Sequence, residues 1–218
     1  MIEIGLIGWD KLADPSSSED DLTYGNLLVR AGLDSKTELQ IGFNGYGTAH
    51  SRDRISGTNS HQQGPGDLSV GLRRSLSGPG GAIAVQANIT LPIGGGGIGA
   101  GDWSAQLRLP IRYKLQRGFE LDLTPEVDAA VNASGSGRHP AYGAVVGLAH
   151  GLGPNLSLAA EIGAWHNDEP HGHATDLRGA LSLAWQAGRN WQIDIEGDAG
   201  LTAAAPRHSL MVGLARRF

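Results

Sequence analysis

Residues 102–115, DWSAQLRLPIRYKL, alternate without a break. Trp103, Ala105, Leu107, Leu109, Ile111, Tyr113 and Leu115 fall on one face, and Asp102, Ser104, Gln106, Arg108, Pro110, Arg112 and Lys114 on the other. A period of two is the mark of a strand with one apolar and one polar side. After Gln116-Arg117-Gly118 the pattern resumes, with Phe119, Leu121, Leu123, Val127, Ala129 and Val131 opposite Glu120, Asp122, Thr124, Glu126, Asp128 and Asn132. Trp191, Ile193, Ile195 and Leu201 alternate with Gln192, Asp194, Glu196 and Asp198, and the chain closes with Leu210, Val212, Leu214 and Phe218 on one side. About twelve such segments are expected, near 1–9, 22–33, 37–47, 66–76, 82–92, 102–115, 119–132, 140–151, 155–166, 174–187, 190–202 and 207–218. The first can be read in either register.

The connections fall into two sets. One is tight: 34–36, 77–81, 116–118, 152–154 and 188–190. The other is more variable and often longer: 10–21, 48–65, 93–101, 133–139, 167–173 and 203–206. Short turns on one side and longer loops on the other characterise outer-membrane barrels. Soluble strands average about 5–6 residues, whereas a tilted membrane strand needs about 9–11. Trp103, Tyr113, Phe119, Trp165, Trp185, Trp191 and Phe218 lie near segment ends, where interfacial girdles form. The expectation is all-β: a transmembrane antiparallel up-and-down β-barrel of about 12 strands forming one domain over 1–218. A soluble barrel or sandwich with the apolar face turned inward is the competing arrangement.

Composition agrees with the barrel. Mean hydropathy is −0.19, as alternation requires. Glycine contributes 34 residues, interleaved with apolar positions in 140–151 and 155–166, where it permits curvature and close backbone approach. The run 94–101, GGGGIGAG, reads as a mobile loop, because no Gly-Lys-Ser/Thr follows it to make a phosphate site. With no cysteine there are no disulfides, thiolate metal sites or thiol nucleophiles. The net charge of −5 offers no basic excess for a nucleic-acid partner. The opening MIEIGLIGWD lacks a basic n-region, an apolar h-region and a cleavage motif, so a signal peptide is expected to be absent from this chain.

The polar faces hold the candidate chemistry. Arg108, Arg112 and Lys114 lie on one segment and Glu120, Asp122, Glu126 and Asp128 on the next, so opposite charges can bridge paired strands. Glu161, Arg178, Asp194, Glu196 and Asp198 share that side. Turned into a lumen, these residues form either a charged eyelet that filters solutes or a set of ion pairs that occludes a narrow barrel. Their acidic excess would mildly favour cations. His166, His171 and His173, with Asp168 and Glu169, are weak metal candidates in what reads as a polar loop. No metal or other cofactor is expected. No G-x-S-x-G elbow occurs, and His150 and His208 lack an evident Ser partner, so no enzymatic activity is expected. Loop 48–65 can fold over the mouth as a gate or plug, or simply be mobile.

Several stretches resemble one family. LLVRAGL (27–33) followed by TELQIG (37–42), GDLSVGL (66–72), Thr90-Leu91-Pro92 before a Gly-rich loop, and a final strand ending in Phe218 are similar in order and spacing to the bacterial outer-membrane transporters named for the meta-pathway of phenol degradation. The resemblance implies an outer-membrane channel passing small solutes, hydrophobic or aromatic compounds among them. It also implies outer-membrane lipid as solvent and recognition of the Phe218 strand by the outer-membrane assembly machinery. The alternative is a non-conducting structural or adhesive barrel whose loops bind partners.

Overall fold

The computed structural model describes residues 1–77 and 82–218. The turn expected at 77–81 therefore falls mostly outside the described residues. The chain forms a closed antiparallel barrel of twelve strands. They are β1 (Ile2–Ala13), β2 (Ser17–Gly32), β3 in two segments (Thr37–Phe43 and Tyr46–Asp53) and β4 in two segments (Asn59–Pro65 and Leu68–Ser75). Next come β5 (Ala84–Leu91), β6 in two segments (Ser104–Arg108 and Ile111–Lys114), β7 (Phe119–Val131) and β8 (Arg138–Gly151). The last four are β9 (Leu156–Glu169), β10 (Gly172–Ala187), β11 (Trp191–Gly200) and β12 (His208–Arg216). Each strand pairs with its neighbours in sequence, and β1 pairs with β12, from Ile2 opposite Arg216 to Lys11 opposite His208, which leaves no free edge.

Local chemistry explains the interruptions. Pro110 has no N–H to give and splits β6. Gly45 splits β3 at φ +64, a left-handed conformation open to glycine. In β1 the register against β12 shifts between Gly5 and Ile7, and Leu6 and Ile7 both face out. That bulge is why the first segment reads in either register. The tight turn after β6 uses Arg117 at φ 60 and Gly118 at φ 77. At two other turns an aspartate ties back to the chain. Asp14 accepts from the N–H and hydroxyl groups of Ser16 and Ser17, and Asp34 accepts from the N–H groups of Lys36 and Thr37. The Ser16 hydroxyl leads in holding the Asp14 carboxyl far below the usual range, and the Lys36 N–H does the same more mildly for Asp34.

Three expected loops are largely strand. The stretch 10–21 is the end of β1, a turn at 14–16 and the start of β2. Most of 48–65 is a hairpin, with Tyr46–Asp53 against Asn59–Pro65, and 167–173 turns within two residues between Glu169 and Gly172. These hairpins rise beyond the apolar band. Both their faces are polar, so hydrophobic alternation fades while the backbone ladder continues.

Burial is inverted relative to a soluble protein. Among the described residues the buried apolar side chains are only Ala84, Ala141 and Ala205. Leu107 is 47% exposed, Val127 54% and Leu181 60%, whereas Glu126 is 8% exposed. Exposing one such Leu or Val to water forgoes about 1.5–3 kcal/mol; lipid tails remove that penalty. Two aromatic belts bound the outer surface. Trp9, Tyr24, Tyr46, Trp103 and Tyr142 sit toward the hairpin end, and Tyr113, Phe119, Trp185, Trp191 and Phe218 toward the end that carries both termini. Short turns and termini share that second end, which is periplasmic in this architecture.

Candidate functional site

Strand parity and cross-strand bonds place the polar side chains in the lumen. Glu126 on β7 is buried. Arg108 Nε donates to its Oε2 at 2.8 Å, Gln106 Nε2 approaches the same oxygen at 3.5 Å, and Trp165 Nε1 donates to its Oε1. The indole reaches Glu126 across β8 because Gly143 and Gly163 leave room. A Cβ on Gly143 would lie 2.6 Å from Trp165 Cδ1, and one on Gly163 would intrude on the indole. Trp165 is thus a lumen residue and not part of a lipid-facing girdle. Its odd number puts it on the side of Glu161, a parity that outranks its position near a segment end.

The other sequence-derived residues fall as follows. Arg112 Nε donates to Asp122 at 2.7 Å and lies 3.7 Å from Glu120, which stands opposite Lys114 in the register. Arg178 pairs with Asp176, and its guanidinium sits 5.2 Å from the Trp165 ring. Asp128 joins Arg178, Trp165 and Gln106 around a cavity of about 510 Å3. Glu196 and Asp198, with Asp10 and Arg178, line another of about 490 Å3. Glu161 on β9 and Asp194 on β11 lie on the same acidic wall. Charge is uneven around the wall: β11 carries Asp194, Glu196 and Asp198 with no cation, and β6 carries Arg108, Arg112 and Lys114 with no carboxylate.

Residues the alternation alone did not single out complete the lining. Arg30 on β2 bonds Glu38 Oε1 at 2.7 Å and Glu3 at 3.0 Å. Gln40 donates to Glu38 at 2.7 Å and accepts from Gln86 at 3.1 Å. Glu38 and Gln40 do alternate with Leu39 and Ile41, so parity carries the signal, but the partners across the sheet are invisible in one strand.

The Gly-rich connection after β5 is anchored, where a mobile loop was expected. Asp67, 3% exposed at the break in β4, accepts from the Gly94 N–H and the Ala100 N–H, both at 2.8 Å. Gly95 donates to Pro65 O at 3.0 Å. Ile98 packs against the bare backbone of Gly47, where a Cβ would meet its Cγ2 at 2.7 Å. The loop lies along the inner wall of the β3–β4 hairpin, and Ile98 shares a cavity with Arg178, Glu196 and Asp198.

His166, Asp168 and His173 come together on the outward face of the β9–β10 hairpin, with donor atoms within 4.8 Å of one another. His173 Nδ1 is 2.5 Å from Asp168 Oδ1, and His166 Nδ1 is 2.9 Å from Thr175 Oγ1. His171 stands apart at the tip between the strands.

A closed barrel with apolar flanks, two aromatic belts and a charged interior defines an integral protein of the bacterial outer membrane. The chain belongs to the family described as "Putative MetA-pathway of phenol degradation", matched over residues 13–218. In fold it is similar to an outer membrane channel from Pseudomonas putida F1, with a TM-score of 0.71, 15% identity, and coverage of 100% of this chain and 95% of that one. It is also similar to the translocator domain of autotransporter NalP from Neisseria meningitidis (TM-score 0.67, 15% identity, 100% and 88% covered) and to NanC porin (0.59, 10%, 100% and 100%). At these identities the likeness is one of fold. No curated protein matches the sequence.

Proposed function

We propose that the barrel is a passive channel for small polar or charged solutes. One observation carries this reading: the interior is a polar wall around cavities of several hundred Å3, with no packed apolar core among the described residues. A barrel that served only as a membrane anchor would have no reason to line its cavities with carboxylates and guanidinium groups. Family membership supports a transport role. Hydrophobic or aromatic compounds, which the family description suggests, fit this lumen best when they carry a polar or charged group. A purely apolar solute would favour a lateral path through the wall.

The reading is tested in planar lipid bilayers, where the purified barrel is expected to give discrete conductance steps. Arg108→Glu places a second carboxylate beside Glu126 and is expected to shift the reversal potential in a KCl gradient toward cation preference. An unchanged potential removes Arg108 from the selective path. A silent, well-folded barrel favours the second reading, a structural or adhesive barrel. The loop laid into the lumen by Asp67 is the feature that argues for that alternative.

A further inference from the structure

The periplasmic half of the lumen breaks the acidic trend. Arg30, Arg73, Arg112, Lys114 and Arg217 line one cavity of about 880 Å3, and Asp122 is the carboxylate among its lining residues. The cations come from three strands, β2, β4 and β6, and from the residue just past β12, so the closure of the barrel assembles them. Even with Glu3, Glu38 and Glu120 counted beside Asp122, five cations face four carboxylates, whereas Asp10, Glu196 and Asp198 surround Arg178 alone in the cavity above.

Their pairing divides them. Arg30 is committed to Glu38 and Glu3, and Arg112 to Asp122. Arg73, Lys114 and Arg217 have no carboxylate oxygen within 4.0 Å among the described residues. A lone unpaired cation on an open surface is ordinary, because water screens it. Three around one walled concavity focus their field and repel one another, and an anion between them relieves both effects. Two are guanidinium groups, whose planar forks match a carboxylate in two parallel hydrogen bonds. Leu28, Ala82 and Pro110 add apolar surface beside these donors.

We propose that this vestibule is a binding site for a small organic carboxylate, held by Arg73, Lys114 and Arg217. The proposal rests on the channel reading and gives it a substrate class, with the site standing at the periplasmic mouth.

The experiment uses benzoate as the probe and benzyl alcohol as the uncharged ring of similar size. Isothermal titration of the detergent-solubilised barrel at low salt is expected to show saturable benzoate binding and none for benzyl alcohol. R73Q/K114Q/R217Q is expected to weaken benzoate by about tenfold or more, in line with the loss of charged hydrogen bonds. Arg54→Gln, at an exposed extracellular tip, is expected to leave it unchanged. Equal affinity in the triple variant, or equal binding of benzyl alcohol, overturns the proposal. Should the triple variant not fold, judged by heat-modifiable gel mobility, R217Q alone lies beyond the last strand and is expected to weaken benzoate by about threefold. Variant-sensitive binding by a barrel silent in bilayers would defeat conduction and leave the site standing. Conductance without benzoate binding would do the reverse.

Discussion

Trp165 shows how a single side chain can depend on the absence of two others. Its indole occupies space that Cβ atoms on Gly143 and Gly163 would fill, and there its N–H reaches Glu126. Gly163→Ala is therefore expected to expel the ring from this position and cost about 1–3 kcal/mol as an overpacking substitution. Urea unfolding from micelles measures it. The same change in a Trp165→Phe background is expected to cost less, because the longest part of the obstructed ring is gone, and the difference between the two costs is the coupling. Equal costs in both backgrounds would show that the glycine matters for the backbone and not for the indole. The face on which Trp165 lies was legible from its parity with Glu161. Its partner was not, because Glu126 is two strands away and only the closed sheet sets their relative height.

At the scale of elements, the apolar band was legible and its extensions were not. Leu107, Val127, Leu181 and Ile195 alternate because each must meet lipid, and that constraint marks all twelve strands. Above the band, His50 and His61 face each other on a hairpin with no apolar side, so only hydrogen bonding holds the ladder and composition reads as loop. The glycines of 94–101 reveal nothing about where they dock, since their contacts are backbone contacts. Asp67 supplies the missing information with its two oxygens. Asp67→Asn is nearly isosteric but turns one acceptor into a donor, so one of the two backbone N–H groups loses its partner. Charged hydrogen bonds of this kind contribute about 1.5–3 kcal/mol each, so opening of the loop is expected to rise by about tenfold or more. Limited digestion with proteinase K should then cut within 92–103 faster while the barrel keeps its heat-modifiable mobility. A cleavage rate equal to that of the parent chain would mean that Asp67 does not hold the loop.

For the whole molecule, closure is the decisive event, because the lumen exists only once β1 meets β12. The seam is secured along nine residue pairs and by Ser209, whose hydroxyl donates to Asp10 at 2.5 Å. The last strand is also where the resemblance places an assembly signal. Leu210, Val212 and Leu214 face lipid in turn, and Phe218 stands 79% exposed at the periplasmic rim beside Arg216, whose guanidinium is 4.8 Å from both the Phe218 and Trp191 rings. Phe218 makes no pairing in the barrel wall and does not line the cavities described above, so its removal should leave the finished fold and its conductance intact. If the assembly machinery reads this terminus, deleting Phe218 should instead lower the amount of folded barrel reaching the outer membrane of living cells. Refolding of the same variant from urea into detergent should proceed as for the parent chain. The contrast between the two routes carries the inference: a deficit in both would assign Phe218 to stability, and a deficit in neither would remove it from assembly.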